Sequence, residues 1–147
     1  MNDLRDLYQE VILDHNKRPR NFRIIPQPTH QANGINPLCG DRISVYLDIE
    51  DEVIRDISFQ GAGCAISSAS ASLMTEALKG KPVAEIEHLF EAFHDVVTTE
   101  CECPKGLGKL SVLAGVRDYP SRVKCATLAW HAVRAALEAR KEAVATE

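Results

Sequence analysis

An α+β fold is predicted by two contrasting periodicities and by the residues that punctuate them. From residue 42 to 49, Ile43, Val45, Leu47 and Ile49 alternate with Arg42, Ser44, Tyr46 and Asp48, the period of a half-buried strand. Residues 54–59 resume an extended pattern with Ile57 and Phe59 on one face, so the two segments read as an antiparallel hairpin turned at Glu50, Asp51 and Glu52. Before and after this hairpin, apolar residues recur at helical spacing.

Taken in order, Leu4, Leu7, Tyr8, Val11 and Ile12 make the first amphipathic helix, with Asn2 or Asp3 as its cap. It must stop before Pro19, and Pro19, Pro26 and Pro28 suit an extended connection. After the hairpin, Gly61-Ala62-Gly63 ends the strand, and residues 65–79 read as a helix whose first turns are Ala and Ser, stopped by Gly80. Side chains that small allow close backbone packing. Pro82 suits the first turn of the next helix, which carries Ile86, Leu89, Phe90, Phe93 and Val97. A loop follows near residues 98–108, then a short helix around Leu110, Leu113 and Ala114. Tyr119-Pro120 breaks that helix, and Ser121 caps a final one with Val123, Leu128, Ala132, Val133, Ala136 and Leu137. No repeat or linker divides residues 1–147, which read as a single domain with a tail that frays after about residue 140.

Composition narrows the function classes. With 17 Lys and Arg against 21 Asp and Glu, the net charge is −4, which argues against nucleic-acid binding. Hydrophobic residues at 45% and charged ones at 26% fit a globular domain able to bury a core. No apolar stretch approaches the roughly 20 residues a bilayer requires, so the chain is expected to be cytoplasmic and without a membrane contact.

Five cysteines, an odd number with no secretory signal, argue for reduced thiols used in metal or sulfur chemistry rather than a disulfide framework. A lone cysteine is more often a small buried hydrophobe, so position carries the argument. Cys39 precedes a strand, and Cys64 and Cys125 open or nearly open helices, where free amide hydrogens lower a thiol pKa. Asp41 follows Cys39 by two residues, so in an extended segment both side chains share a face. Three thiolates and a carboxylate suit tetrahedral zinc, and the excess negative charge could be offset by Arg122 and Lys124. Spacing alone does not settle a zinc site, because structural sites usually carry Cys-x-x-Cys pairs. Cys101 and Cys103 read as an incidental loop pair, and His15, His30, His88, His94 and His131 are left outside the site.

Three sequence words, Asn36-Pro37-Leu38-Cys39-Gly40-Asp41, Gly61-Ala62-Gly63-Cys64-Ala65-Ile66-Ser67 and Arg122-Val123-Lys124-Cys125-Ala126-Thr127-Leu128-Ala129-Trp130, occur in this order. Together they resemble the iron-sulfur cluster assembly family of IscU, the NifU N-terminal domain and SufU, over nearly the whole chain. The resemblance implies a three-stranded antiparallel sheet, its third strand supplied around residues 29–35, with about five helices on one face. Lys124 stands where the scaffold branch has histidine, no Leu-Pro-Pro-Val-Lys motif precedes it, and the segment between Cys64 and Cys125 is longer by about one short helix. These departures point to the SufU branch.

For that branch the resemblance implies zinc held by Cys39, Asp41, Cys64 and Cys125, with Cys39 receiving persulfide sulfur and Arg122 matching a basic residue linked to that activity. It further implies a SufS-type cysteine desulfurase as donor and a SufB-containing assembly complex as recipient. An IscU-like scaffold building a [2Fe-2S] cluster, or binding iron, on the same residues is the alternative, and a structural zinc protein with an inert Cys39 is the third reading.

Overall fold

The computed structural model describes residues 3–36, 40–98, 113, 120–138 and 144–145. Along the chain these form α1 (Asp3–Lys17), β1 (His30–Asn36), β2 (Asp41–Glu50), β3 (Val53–Ala62), α2 (Ala65–Leu78), a 3₁₀ turn (Val83–Glu85), α3 (Ile86–Thr98), α4 (Pro120–Leu137) and β4 (Val144–Ala145). The sheet order is β3-β2-β1-β4.

The β2–β3 hairpin follows the alternation. Val45 pairs with Phe59 and Leu47 with Ile57, and Ile43, Val45, Leu47, Ile57 and Phe59 are all buried. The turn is tighter than the acidic triplet suggests: Glu50 remains in the strand, and Asp51 and Glu52 make the corner with φ of 53° and 61°. Two successive positive φ values are the pattern of a type I′ turn, whose twist matches that of the flanking strands. A register shift between Asp48 and Ile49 then turns Ile54 into the core. β1 pairs antiparallel with β2, so the three antiparallel strands are as the family resemblance implies. Val144 and Ala145, in the tail read as frayed, add a short parallel strand on β1, opposite Gly34 and Ile35.

The connection after α1 runs beside β3. The Phe59 amide donates to the Asn21 carbonyl at 3.0 Å, the Arg23 amide donates to the Phe59 carbonyl at 3.1 Å, and the Phe22 ring meets Phe59 edge-on at 5.2 Å. α1 itself packs on α2, where buried His15 sits 2.7 Å from the Ser72 hydroxyl.

The small residues of α2 do what their size permits. Ser67, Ala69, Ser70, Ala71 and Ser72 are buried where α2 meets α4 and α1, and the Ser70 hydroxyl donates to the Ala126 carbonyl. Gly80 ends this segment with φ of +85°, and its amide donates to the Ile54 carbonyl at 2.7 Å. Pro82 precedes a 3₁₀ turn instead of entering the helix directly, and α3 then buries Ile86, Phe90, Phe93, Val96 and Val97. Phe93 stacks on Trp130 of α4 with ring centroids 5.0 Å apart.

α4 lies against β1 and β2 and is the centre of the core, with Ala126, Leu128, Ala129, Trp130, Ala132, Val133, Ala135 and Ala136 buried. Each large apolar side chain so buried stabilises the fold by about 1.5–3 kcal/mol relative to exposure. Gly34 makes the approach possible: a Cβ there would meet Leu128 Cδ1 at 3.1 Å and Ile43 Cγ2 at 3.3 Å. The helix starts at Pro120, ahead of the Ser121 cap expected from the sequence. Proline at a first helical position loses no hydrogen bond, so here it begins the helix. The described residues thus hold four α-helices where about five were expected; the short helix expected around Leu110–Ala114 lies outside them apart from Leu113, which is buried.

Candidate metal centre

Three elements end or begin at one place. Asp41 is the first residue of β2, Cys64 caps α2, and Cys125 lies in the second turn of α4. Their ligand atoms all lie within 4.8 Å of one another. Asp41 is 23 residues from Cys64 in sequence, and its Oδ1 accepts the Cys64 amide hydrogen at 3.1 Å. Gly63 is needed for this approach, because a Cβ there would sit 3.0 Å from the Asp41 carboxyl carbon. Gly61, with φ of +151°, is a second constraint on the same turn: a Cβ would collide with the Arg42 carbonyl oxygen.

Each donor has a distinct environment. Cys64 is half-buried, has φ −71° and ψ 168°, and its Sγ accepts the Ser67 amide hydrogen at 3.4 Å, which is the N-cap role usually filled by Ser or Asp. Cys125 is buried and receives the Asn36 side-chain amide, with Nδ2 3.8 Å from its Sγ. Burial, and after it the facing Cys64 thiol and Asp41 carboxyl, push the Cys125 thiol far above the ordinary thiol range. The expected gain in acidity from a helix end is therefore not met at Cys125. Cys125 lies past the first turn of α4, where the influence of the helix terminus has fallen off.

The chemistry of this donor set fits a soft divalent cation or an iron-sulfur cluster. Asp41 is 4% exposed, and its Oδ2 is buried without a hydrogen-bond partner among the described residues. A buried carboxylate beside two thiols is costly unless a positive charge joins them. Two thiolates and a carboxylate are ligands for zinc and suit iron-sulfur ligation as well.

Of the five site residues read from the sequence, Asp41, Cys64 and Cys125 come together. Cys39 lies outside the described residues, as do Cys101 and Cys103. Flanking Cys39, Asn36 and Asp41 are register partners, and the Gly40 amide donates to the Asn36 carbonyl at 2.8 Å. Arg122 is exposed three residues before Cys125, a spacing that makes them neighbours on one helix face, and Lys124 is half-buried. His15 engages Ser72 and lies 3.5 Å from Glu76, and it is not a member of the Asp41, Cys64, Cys125 group. Asn36, named from the sequence only as the first residue of the motif at residues 36–41, is a contact of Cys125 to which sequence reasoning assigned no role. Its signal is an inward strand position, two residues on from buried Gly34 and four from buried Ala32, occupied by a polar side chain that must find a partner.

Comparison with known proteins gives the same constellation a lineage. The NifU-like N terminal domain family matches residues 7–126. The zinc-dependent sulfurtransferase SufU of Bacillus subtilis (strain 168) is 39% identical over 132 residues, covering 89% of each chain. An iron-sulfur cluster assembly scaffold protein IscU from Streptococcus pyogenes serotype M1 is 41% identical over 140 residues, covering 94% of this chain and 87% of the other. The FiSufU crystal structure from Fervidobacterium islandicum AW-1 superposes with a TM-score of 0.81 at 32% identity, covering 87% of this chain and 94% of that one. With the family match spanning most of its length and both relatives covered almost throughout, the chain belongs to the NifU N-terminal domain family of iron-sulfur cluster assembly proteins, alongside IscU and SufU.

Proposed function

We propose that this chain is a cytoplasmic, zinc-dependent sulfur acceptor that takes persulfide sulfur from a SufS-type cysteine desulfurase and passes it to a SufB-containing assembly complex. The observation that carries this reading is the convergence of Asp41, Cys64 and Cys125 within 4.8 Å, with Cys39 two residues from Asp41 in sequence. Similarity to a zinc-dependent sulfurtransferase, and Lys124 in place of the scaffold branch's histidine, support it.

Zinc, when bound, keeps its ligand thiols as thiolates at neutral pH and shields them from oxidation. Asp41, Cys64 and Cys125 would hold it from three separate elements, with Cys39 as the expected fourth donor and the nucleophile. As the desulfurase docks, the Cys39 thiolate attacks the outer sulfur of the donor's persulfide. A sulfur–sulfur bond forms on Cys39, the donor's sulfur–sulfur bond breaks, and its electron pair leaves with the donor cysteine as a thiolate. The exchange consumes no outside reductant. Arg122, exposed on the Cys125 face of α4, offers positive charge to the anionic persulfide during approach.

A second reading, an IscU-like scaffold that assembles a [2Fe-2S] cluster on the same residues, is favoured by the 41% identity to the Streptococcus IscU. Alanine release by a SufS-type desulfurase, under limiting reductant, separates the two. The acceptor reading expects strong stimulation by zinc-loaded protein and its loss in Cys39→Ser. Stimulation that survives Cys39→Ser overturns the acceptor role.

A further inference from the structure

The donors of the metal centre are supported from different distances along the chain. Cys64 takes its hydrogen bond from Ser67, three residues on, and Asp41 takes one from the Cys64 amide, so both hydrogen-bond donors lie at the start of α2. For Cys125 a hydrogen bond comes from 89 residues away: Asn36, 1% exposed at the end of β1, points Nδ2 at its Sγ from 3.8 Å. The carbonyl of the same Asn36 accepts the Gly40 amide hydrogen at 2.8 Å, and its register partner is Asp41. One residue therefore links the α4 ligand, the strand that carries the carboxylate ligand, and the turn that follows Cys39. A metal-bound thiolate offers lone pairs only, so the Asn36 amide must present its nitrogen.

We propose that Asn36 is a positioning residue of the metal centre: by donating to Cys125 Sγ it holds that thiolate in place as a ligand and lowers its nucleophilicity. This rests on the reading that the site binds a metal. A hydrogen bond to a thiolate withdraws charge from sulfur, and a less basic thiolate attacks more slowly. Outer partners of this kind fix ligand orientation and tune the metal, and losing one typically lowers metal affinity about 10–100-fold.

The test loads cobalt(II) in place of zinc into the wild type, Asn36→Ala and Asn36→Asp, the last matching asparagine in size without its donor. Two readouts follow, the thiolate-to-cobalt charge-transfer band and the alkylation rate of each cysteine mapped by mass spectrometry. Both variants should bind cobalt about ten-fold more weakly or worse. Their charge-transfer band should move to lower energy, and Cys125 should alkylate about ten-fold faster while Cys64 keeps its rate. If Asn36→Ala does not fold, Asn36→Asp alone decides. A folded variant with unchanged band and unchanged Cys125 reactivity overturns the role of Asn36. A wild type that takes up no cobalt overturns the metal reading together with it, whereas sulfur uptake surviving in Cys39→Ser overturns the acceptor reading and leaves the cobalt result standing.

Discussion

Cys64 and Cys125 face one another across the same site, yet the chain builds their surroundings by opposite means. Cys64 stands at the start of α2, half-buried, with an amide hydrogen supplied three residues later by the helix it caps. Cys125 is buried within α4, and the Asn36 amide reaches it from across the fold. The first environment is written in a short stretch of sequence, the second exists only once β1 has docked against α4. Burial opposes ionisation of Cys125, so a charged thiolate there requires a tertiary donor and a cation.

Replacing the two cysteines in turn gives the largest effect and tests whether they are equal partners on the metal. Cys64→Ser and Cys125→Ser should each lose zinc by more than about a hundredfold in affinity, beyond the range for removing an outer partner. Competition with a chromophoric chelator measures it. Retention of tight zinc by either variant would remove that residue from the ligand set.

The two glycines that admit close approach sharpen the separation between site and core. At Gly63 a Cβ presses on the Asp41 carboxyl at 3.0 Å, so Gly63→Ala should weaken zinc binding about ten-fold with little change in unfolding midpoint. At Gly34 it presses on Leu128 at 3.1 Å, so Gly34→Ala should cost about 1–3 kcal/mol in denaturant unfolding and leave zinc affinity of the folded protein unchanged. The reverse pattern would show that site and core are not separable in this way.

The smallest effect is a pH dependence of the metal-free protein. Because burial and the neighbouring acidic groups raise the Cys125 thiol in the folded state, that state binds its proton more tightly than the unfolded chain does. Stability from this residue is complete below the ordinary thiol range and is lost as pH climbs through and above it. Cys125→Ser should flatten the alkaline fall in unfolding midpoint, and Cys64→Ser should leave more of it in place.

Much of this was legible because the determinants are local. The alternation of Ile43, Val45 and Leu47 marked β2 and its core face, Gly80 marked the end of α2, and the short words around Cys64 and Asp41 marked the site. The start of α4 was misplaced because Pro120 can either break a helix or open one, and only the packing of α4 on the sheet decides. The contact of Asn36 with Cys125 was not legible because its partner lies 89 residues on, a contact no periodicity encodes. The pairing of Val144 and Ala145 with β1 is equally remote from local pattern.

The proposed role of the Asp41, Cys64 and Cys125 site is to hold zinc for sulfur transfer. Its most direct test is the zinc, iron and acid-labile sulfide content of protein purified without added metal. Stoichiometric zinc that disappears in Asp41→Ala, with neither iron nor sulfide, is the expected result. Iron with matching acid-labile sulfide would contradict it and establish the scaffold reading.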